Sequence, residues 1–275
     1  MPVSGPTVVR RQLGRKLQRL REASGKTIVE IEAARIASRT KIWRIERGQV
    51  PVKVPDVWAL CRFYGADKVE TDALANLAVG TLEQGWWENY SDVIPEWFKL
   101  YVGIEATAQR IRTFHETIVP GELQTADYAR AMYRAWPPDL DRDCIERHVS
   151  FRLQRQEALL SRRPAPEVTV VLGQNVLTRN VGGRGTLQAQ IEHLRRLDQR
   201  DHIEVRVLGF DVGAHMAMDG AFRIFDFDDD DDPDVAYLDL LIGARYLEKP
   251  FEVDKYRQAF EMIYRLATPI GSFHA

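Results

Sequence analysis

The 275-residue chain is long enough for about two domains, and its 45% of hydrophobic residues allows a sizeable packed core. No run of about 18 apolar residues occurs, and the first residues lack the apolar segment of a signal peptide, so we expect neither a membrane-spanning helix nor export. The two cysteines, Cys61 and Cys144, are far apart, which excludes a disulfide framework and cysteine-zinc spacing and favours the reducing cytoplasm.

The net charge is only −2, but the charges are unevenly distributed along the chain. Residues 1–64 contain 14 Lys and Arg against 5 Asp and Glu, a balance of +9, whereas residues 65–275 contain 24 against 35, a balance of −11. A basic first quarter on an acidic remainder is typical of an N-terminal module that binds a polyanion. Chance clustering of solvated charges is the alternative interpretation.

The first predicted helix spans residues 10–23, where leucines recur at i, i+4 and i+7 opposite a basic face. Residues 1–9 before it are predicted to be a flexible arm. After a break at Ser-Gly-Lys, Thr27 is a good N-cap for a short second helix, and Glu30, three residues later, completes a capping box. These helices begin a predicted all-α domain at residues 10–79.

The third predicted helix, residues 38–47, begins at Ser38 and is basic on one face. Ile42 and Ile45 form an apolar edge that we expect to pack on the rest of the domain. An α-helix fits the major groove of DNA, where an arginine can fork onto guanine, and Arg47 at the far end is better placed for a phosphate. The residues that we expect to contact DNA are Lys26, Thr27, Ser38, Arg39, Thr40, Lys41, Trp43, Arg44 and Arg47.

Two further helices, at residues 55–64 and 69–79, follow a proline-containing linker and complete a five-helix domain. The residue composition changes between residues 80 and 100, where three tryptophans are concentrated. We interpret this segment as the junction between two domains rather than as a ligand pocket lined by aromatic rings. The tryptophans are Trp86, Trp87 and Trp97.

Residues 101–275 mix two periodicities and are predicted to form a larger α/β domain. Apolar, β-branched runs bounded by turns predict strands at residues 167–173, 203–210, 221–227 and 235–241. Long helical patterns, the first beginning in the junction, predict helices at residues 96–116, 125–136, 142–162, 186–199 and 253–267. The fold class is therefore α+β, with an all-α domain followed by a mixed one.

The N-terminal domain resembles the XRE-type, phage-repressor-like helix-turn-helix. The matching residues are Gly25, Thr27, Ser38, Ile42, Ile45, Glu46, Gly48, Leu60 and Tyr64. The resemblance implies a domain that binds double-stranded DNA. Ile28, Glu32 and Trp43 depart from the family pattern, which usually has a glutamine, a small alanine and a small polar residue at these positions. A glutamate in place of alanine is expected to change how the second and third helices cross.

Later segments resemble a domain of unknown function that follows the helix-turn-helix in many actinobacterial regulators, often described as antitoxin-like. The similar segments are residues 119–131, 152–156, 181–183, 205–210, 213–215 and 222–227. Glu122, Gln174 and Gly209 depart from that pattern. Because genes of this family tend to sit beside one for a short protein, the resemblance implies a small protein partner.

Other candidate sites have a simpler interpretation. Residues 181–185, VGGRG, precede a helix at Thr186 and form either a phosphate cradle or a plain turn with an N-cap, and we favour the turn. The acidic run at 228–232 lacks the glycine and glutamate of an EF-hand loop, and we interpret it as a solvated hairpin tip. No histidine has a partner at metal-ligand spacing and no nucleophile motif occurs. We therefore expect no metal, no cofactor and no enzymatic activity.

These patterns favour a cytoplasmic, sequence-specific transcription regulator, most simply a repressor, that associates with the nucleoid when bound to DNA. It would bind a double-stranded operator as a homodimer through helix 38–47, and the C-terminal domain would dimerise and bind a partner protein or ligand. The alternative is an antitoxin-like protein that neutralises a small partner protein and autoregulates its operon. An enzyme with a DNA-binding appendage is the least favoured hypothesis, because no catalytic constellation occurs.

Overall fold

The structure, a computed structural model, describes residues 6–80, 86–135, 140–228 and 233–273. These residues form two compact units. The first contains the described residues up to Asn89 together with Lys99–Thr107, and the second contains Tyr90–Phe98 and the described residues from Ala108 onward. The division therefore falls within and just after the segment at 80–100 that we predicted as the junction.

The first unit begins with the predicted all-α domain. Its helices are α1 (Pro6–Ala23), α2 (Ile28–Ala33), α3 (Arg39–Glu46), α4 (Val54–Tyr64) and α5 (Lys68–Gly80). The prediction of an arm at 1–9 is wrong for residues 6–9, because α1 begins at Pro6, and residues 1–5 lie outside the described residues. Proline suits the first helical turn, where its fixed φ is already helical and its missing N–H is not needed.

Tight left-handed turns follow α1, α3 and α4. Gly25, Gly48 and Gly65 have φ values of +68°, +64° and +80°, and the N–H groups at and after each glycine bond back to carbonyls of the last helical turn. Glycine is favoured there because an L side chain is crowded at positive φ. The turn after α2 has the same hydrogen bonds, but its left-handed residue is Arg35, with φ of 57°.

A single apolar cluster holds these five helices together. The predicted leucine face of α1 and isoleucine edge of α3 both contribute to it, so these amphipathic interpretations are confirmed. The buried members include Leu13, Leu17, Ile31, Ile42, Ile45, Val57, Leu60 and Leu74.

The second unit has the predicted mixed architecture, built on a seven-stranded sheet. Its strands are β1 (Arg110–His115), β2 (Glu167–Gly173), β3 (Ile203–Leu208), β4 (Phe222–Asp226), β5 (Val235–Asp239), β6 (Ala244–Leu247) and β7 (Thr268–Pro269). The strand order is β6-β5-β4-β1-β2-β3-β7, with β1, β2 and β3 parallel and the other neighbours antiparallel. The remaining helices are α6 (Glu96–Glu105), which spans the division between the units, α7 (Ala126–Ala135), α8 (Arg142–Leu160), α9 (Gln174–Thr178), α10 (Arg184–Leu197) and α11 (Pro250–Leu266).

One long helix predicted from the sequence is wrong. The pattern at 96–116 suggested a continuous helix, but α6 ends at Glu105 and residues 110–115 form β1, the central strand of the sheet. β1 pairs with β2, which begins more than fifty residues later, so the stabilising contacts are not local. The four predicted strands are confirmed, whereas β6, β7 and the short α9 were not anticipated.

The sheet buries both of its faces. One face packs Val168, Val170, Val205 and their neighbours with apolar side chains of α7 and α10, and the opposite face packs Phe114, Phe222 and Ile224 with α11. Two separate clusters therefore account for the near-continuous apolar character of β2 and β3. None of the helices in the described ranges is both long enough and apolar enough to cross a membrane.

Candidate nucleic-acid interface

The apolar edge of α3 fixes this helix on the domain. Ile42 and Ile45 are each 1% exposed, while Trp43 and Arg44 between them face solvent. Ser38 caps the helix, its hydroxyl accepting a hydrogen bond from the N–H of Lys41 at 3.3 Å. The helix therefore presents one face to solvent along its whole length, as the sequence predicted.

Two glycines allow α1 and the end of α3 to approach closely. A Cβ atom on Gly14 would lie 2.2 Å from the carbonyl oxygen of Ile45, and one on Gly48 would lie 2.8 Å from the Cα atom of Arg11. No side chain fits these distances without movement of the backbone. Gly14 was not identified from the sequence. Its role, to let α1 approach the backbone of α3, is apparent only once the crossing of the two helices is known.

A forked ion pair joins the same two helices. Arg21 of α1 donates from Nε and Nη2 to the two carboxylate oxygens of Glu46, at 2.6 and 3.0 Å. These hydrogen bonds raise the pKa of Arg21. Both side chains are largely buried, so breaking the pair would leave a desolvated charge. The pair gives a structural reason for Glu46, one of the residues that match the helix-turn-helix pattern. It also means that Arg21 stabilises the packing of α1 on α3 and is not part of the exposed face.

The predicted contact residues differ in how available they are. Thr40 and Arg44 are exposed, and within the described residues neither side chain makes a hydrogen bond or an ion pair. Arg47 is exposed and lies over the indole of Trp43, 4.4 Å from its ring centroid. Trp43 is 45% exposed, so both remain accessible from solvent. These four residues form the open part of the candidate interface.

Three of the predicted basic contacts are tied to neighbouring helices. Arg39 donates to Glu32 of α2, and Lys41 donates from Nζ to Asp56 of α4 at 2.9 Å. Lys26 lies over the ring of Phe63, 5.2 Å from its centroid. Each of these side chains retains some exposure. A duplex would therefore meet an interface whose basic groups are partly oriented in advance.

The capping box predicted at the start of α2 is confirmed. Thr27 Oγ1 accepts from the N–H of Glu30 at 3.3 Å, and the N–H of Thr27 donates to Glu30 Oε2 at 2.7 Å. The hydrogen bonds from Thr27 lower the pKa of Glu30. The Thr27 hydroxyl also donates to Glu30, so this donor would have to exchange partners to reach a phosphate.

Comparison with known families assigns both parts of the chain. Residues 12–74 match a family described as a helix-turn-helix domain, and residues 98–271, more than half of the chain, match a domain of unknown function, DUF5753. The chain belongs to the DUF5753 family. No curated protein and no solved structure matches it.

The helix-turn-helix match places the motif on the elements described above. α2, the turn at Arg35 and α3 form the motif, and in proteins of this kind the second helix enters the major groove. The chain thus combines a DNA-binding type of domain with a DUF5753 domain, which agrees with the broader part of the sequence-based interpretation.

The DUF5753 domain contains a buried ionic cluster. Glu122 is 1% exposed and accepts from Arg155 Nη2 at 2.9 Å and Arg223 Nε at 3.4 Å. Burial alone would raise the pKa of Glu122, but the two guanidinium groups outweigh it and hold the pKa at about 2. A leucine, common at this position, would leave both arginines without this partner, so the departure from the family pattern has a structural role here.

His115 lies near this cluster at the end of β1. Burial, followed by the charge of Arg223, lowers the pKa of His115 to about 3, so the ring is neutral at pH 7. Neither ring nitrogen has a hydrogen-bond partner within the described residues. No sequence pattern distinguishes His115 from the other histidines.

Of the two remaining candidate sites, the structure describes only the one at residues 181–185 in full. Gly183, with φ of 93°, stands at the N-cap of α10, and Thr186 Oγ1 donates to the carbonyl of Gly182, so residues 181–185 form a turn and helix start. The helix begins at Arg184, two residues before the predicted start. The interpretation of the acidic run at 228–232 falls outside the described residues after position 228.

Proposed function

We propose that this protein is a sequence-specific double-stranded DNA-binding regulator that represses transcription by placing α3 in the major groove of an operator. The observation that carries the proposal is the arrangement of α3: two isoleucines are buried while Thr40, Arg44 and Arg47 face solvent within a helix-turn-helix domain. A major groove admits one α-helix, and an arginine fork distinguishes guanine there.

The proposed docking uses two kinds of contact. Arg44 and Thr40 lie on the open face of α3 and would meet base edges. Arg47, at the C-terminal end of the helix, would meet a phosphate, which fixes the register without reading sequence. The excess of positive charge in residues 1–64 supports electrostatic association with the duplex before specific contacts form.

The first experiment is selection of preferred duplexes from a random library, followed by competition binding with single-base variants. Arg44→Ala should cost about 1–3 kcal/mol at the cognate site and relax the preference at one base pair. Arg47→Ala should weaken all duplexes similarly and lower the salt slope by about one. Arg184→Ala, which removes an exposed charge from α10 of the other domain, is the control and should change neither quantity.

Two results would contradict this assignment. An Arg44→Ala variant with the same affinity and the same base preference as the wild-type chain would contradict the placement of α3 in the groove. A loss confined to one base pair in the Arg47→Ala variant would make Arg47 a base contact instead of a phosphate contact.

We further propose that the protein binds its operator as a homodimer. Helix-turn-helix proteins commonly read two half-sites about 34–36 Å apart, and a single α3 contacts too few bases to specify one site in a genome. Sedimentation of the full chain with and without a selected duplex tests this. A one-to-one complex on a selected site without internal symmetry would contradict it.

We retain the expectations that the protein acts in the cytoplasm, on the nucleoid when DNA is bound, without a cofactor and not as an enzyme.

A second candidate function is an antitoxin-like role, in which the DUF5753 domain binds and neutralises a small protein encoded nearby. The observation that favours it is the hairpin tip between β5 and β6, where Leu240, Leu241 and Ile242 are 49%, 83% and 91% exposed. Three consecutive exposed aliphatic side chains are typical of a protein-binding surface.

The test of this second role is co-expression with the neighbouring short protein. A complex that survives high salt while DNA is released, and that is lost in Leu241→Asp, would support it. Exposed Val69 on α5, changed to Asp, is the control. Failure of the two proteins to associate would exclude the role without affecting DNA binding.

A further inference from the structure

An ion pair at the base-facing end of α3 is not used by the function proposed above. Glu32 of α2 accepts a hydrogen bond from Arg39 Nε at 2.5 Å and a second from the backbone N–H of Arg39 at 3.3 Å. Both hydrogen bonds lower the pKa of Glu32, and the bond from the Arg39 side chain has the larger effect. Glu32 thereby holds both the side chain and the backbone of the first residue of α3.

The nitrogen that Glu32 engages is informative. The guanidinium group of arginine is planar, so fixing Nε restricts the plane and direction of the whole group. Within the described residues the ion pair engages only Nε, and neither Nη1 nor Nη2 makes a hydrogen bond. Arg39 is 60% exposed, so these two donors are available for the forked contact that arginine makes with O6 and N7 of guanine.

The position of Glu32 explains why a glutamate can replace the usual small residue. Its carboxylate lies at the N-terminus of α3, where the helix dipole favours a negative charge. The same dipole disfavours the positive charge of Arg39 at this end of the helix, and the carboxylate offsets that effect. The other carboxylate oxygen accepts a hydrogen bond from the backbone N–H of Arg39, so the position of the carboxylate does not depend on the arginine side chain alone.

We infer that Glu32 is a positioning residue for base recognition, which orients Arg39 so that its two terminal nitrogens read a guanine in each half-site. This inference rests on the proposed function and adds a specificity determinant outside α3. The opposite role, in which Glu32 competes with DNA for Arg39, predicts a gain of affinity without loss of discrimination when the charge is removed.

The experiment compares Glu32→Gln with the wild-type full chain on selected duplexes. We first identify the guanine whose replacement is tolerated by Arg39→Ala, and then measure the ratio of affinities for guanine and for the other bases at that position. Glu32→Gln should reduce this ratio about three- to tenfold, part of the discrimination that a forked contact supplies. Arg39→Lys, which lacks the fork, should reduce it at the same position.

Two controls separate orientation from charge and from folding. Glu70→Gln removes the same charge from an exposed site on α5 and should leave the ratio unchanged. In the Arg39→Ala background, Glu32→Gln should cause no further loss, because no arginine remains to be oriented. Circular dichroism melting checks that Glu32→Gln is folded.

The outcomes distinguish this inference from the function on which it rests. An unchanged ratio in Glu32→Gln, or higher affinity with full discrimination, would overturn the positioning role while leaving the DNA-binding function intact. A wild-type chain that selects no sequence would overturn both. A reduced ratio confined to the Arg39-dependent base pair supports the inference.

Discussion

Replacement of Gly14 by alanine tests the close crossing of α1 and α3. In an open helix this change stabilises by about 1 kcal/mol, because alanine has the higher helix propensity. Here the new Cβ would lie 2.2 Å from Ile45 O and 2.9 Å from Glu46 O. Both obstacles are backbone atoms of α3, so no side-chain rotation relieves the overlap and the helices must separate.

The magnitude follows from two opposing effects. Forcing extra volume into a packed contact costs about 1–3 kcal/mol, and a rigid backbone obstacle favours the upper part of that range. Subtracting the propensity gain of about 1 kcal/mol leaves a local destabilisation of about 1–2 kcal/mol. The separation would also weaken the Arg21–Glu46 pair, which joins the same two helices. We therefore expect weaker operator binding as well.

Hydrogen exchange of the full chain, read by mass spectrometry, measures the effect locally. Amides of α1 and α3 should lose protection by about 5–30-fold in Gly14→Ala, which corresponds to 1–2 kcal/mol. Gly185→Ala in α10 is the matched control: apart from adjacent residues and the backbone of its own helix, nothing lies within 4 Å of the added Cβ, so protection there should rise. If Gly14→Ala increased protection of α1 as Gly185→Ala does for α10, the close crossing would be refuted.

Three further changes test other parts of the structure. Arg35→Gly should increase hydrogen-exchange protection around the turn by about 0.5–1 kcal/mol, because glycine adopts the positive φ without steric strain. This gain exceeds the cost of the greater conformational entropy that glycine gives the unfolded chain, and lower protection would contradict the prediction. Arg21→Met should destabilise α1 and α3 by about 2–3 kcal/mol by leaving Glu46 unpaired, and adding Glu46→Leu should recover most of it; no recovery would show that the loss came from packing. With its folded pKa at about 3, below an unfolded value of about 6.5, His115 lets the unfolded chain bind one more proton between these limits, so stability falls as pH falls through that window. His115→Gln should reduce the pH dependence of the unfolding free energy, measured in urea, by up to about 1.4 kcal/mol per pH unit near pH 5. An unchanged pH dependence would show that another group causes the loss of stability.

Features determined by neighbours in sequence were predictable. Ser38 and Thr27 are caps whose partners lie three residues away, and the isoleucine edge of α3 repeats at helical spacing, so these elements are found within one or two residues of the predicted positions. The N-terminal domain consists mostly of such short-range patterns, which explains why its five helices were identified.

Features determined by distant residues were not predictable in the same way. β1 is a strand because β2 and β4 flank it, while its own residues also suit the helical pattern that precedes it. The partner of Glu46 lies 25 positions earlier in the chain. Glu32 was recognised as unusual because it departs from the family pattern, but its contact with Arg39 depends on how α2 and α3 cross.

The same distinction applies to function. A basic, amphipathic α3 alone is a weak signal, and the prediction of DNA as the partner depended on the combined helix-turn-helix pattern together with the positive charge of residues 1–64. The orientation of α3 depends on contacts with three other helices: α1 through Gly14 and Arg21, α2 through Glu32, and α4 through Asp56. Identical α3 sequences on scaffolds with different residues at these positions should therefore bind DNA with similar salt dependence but prefer different bases.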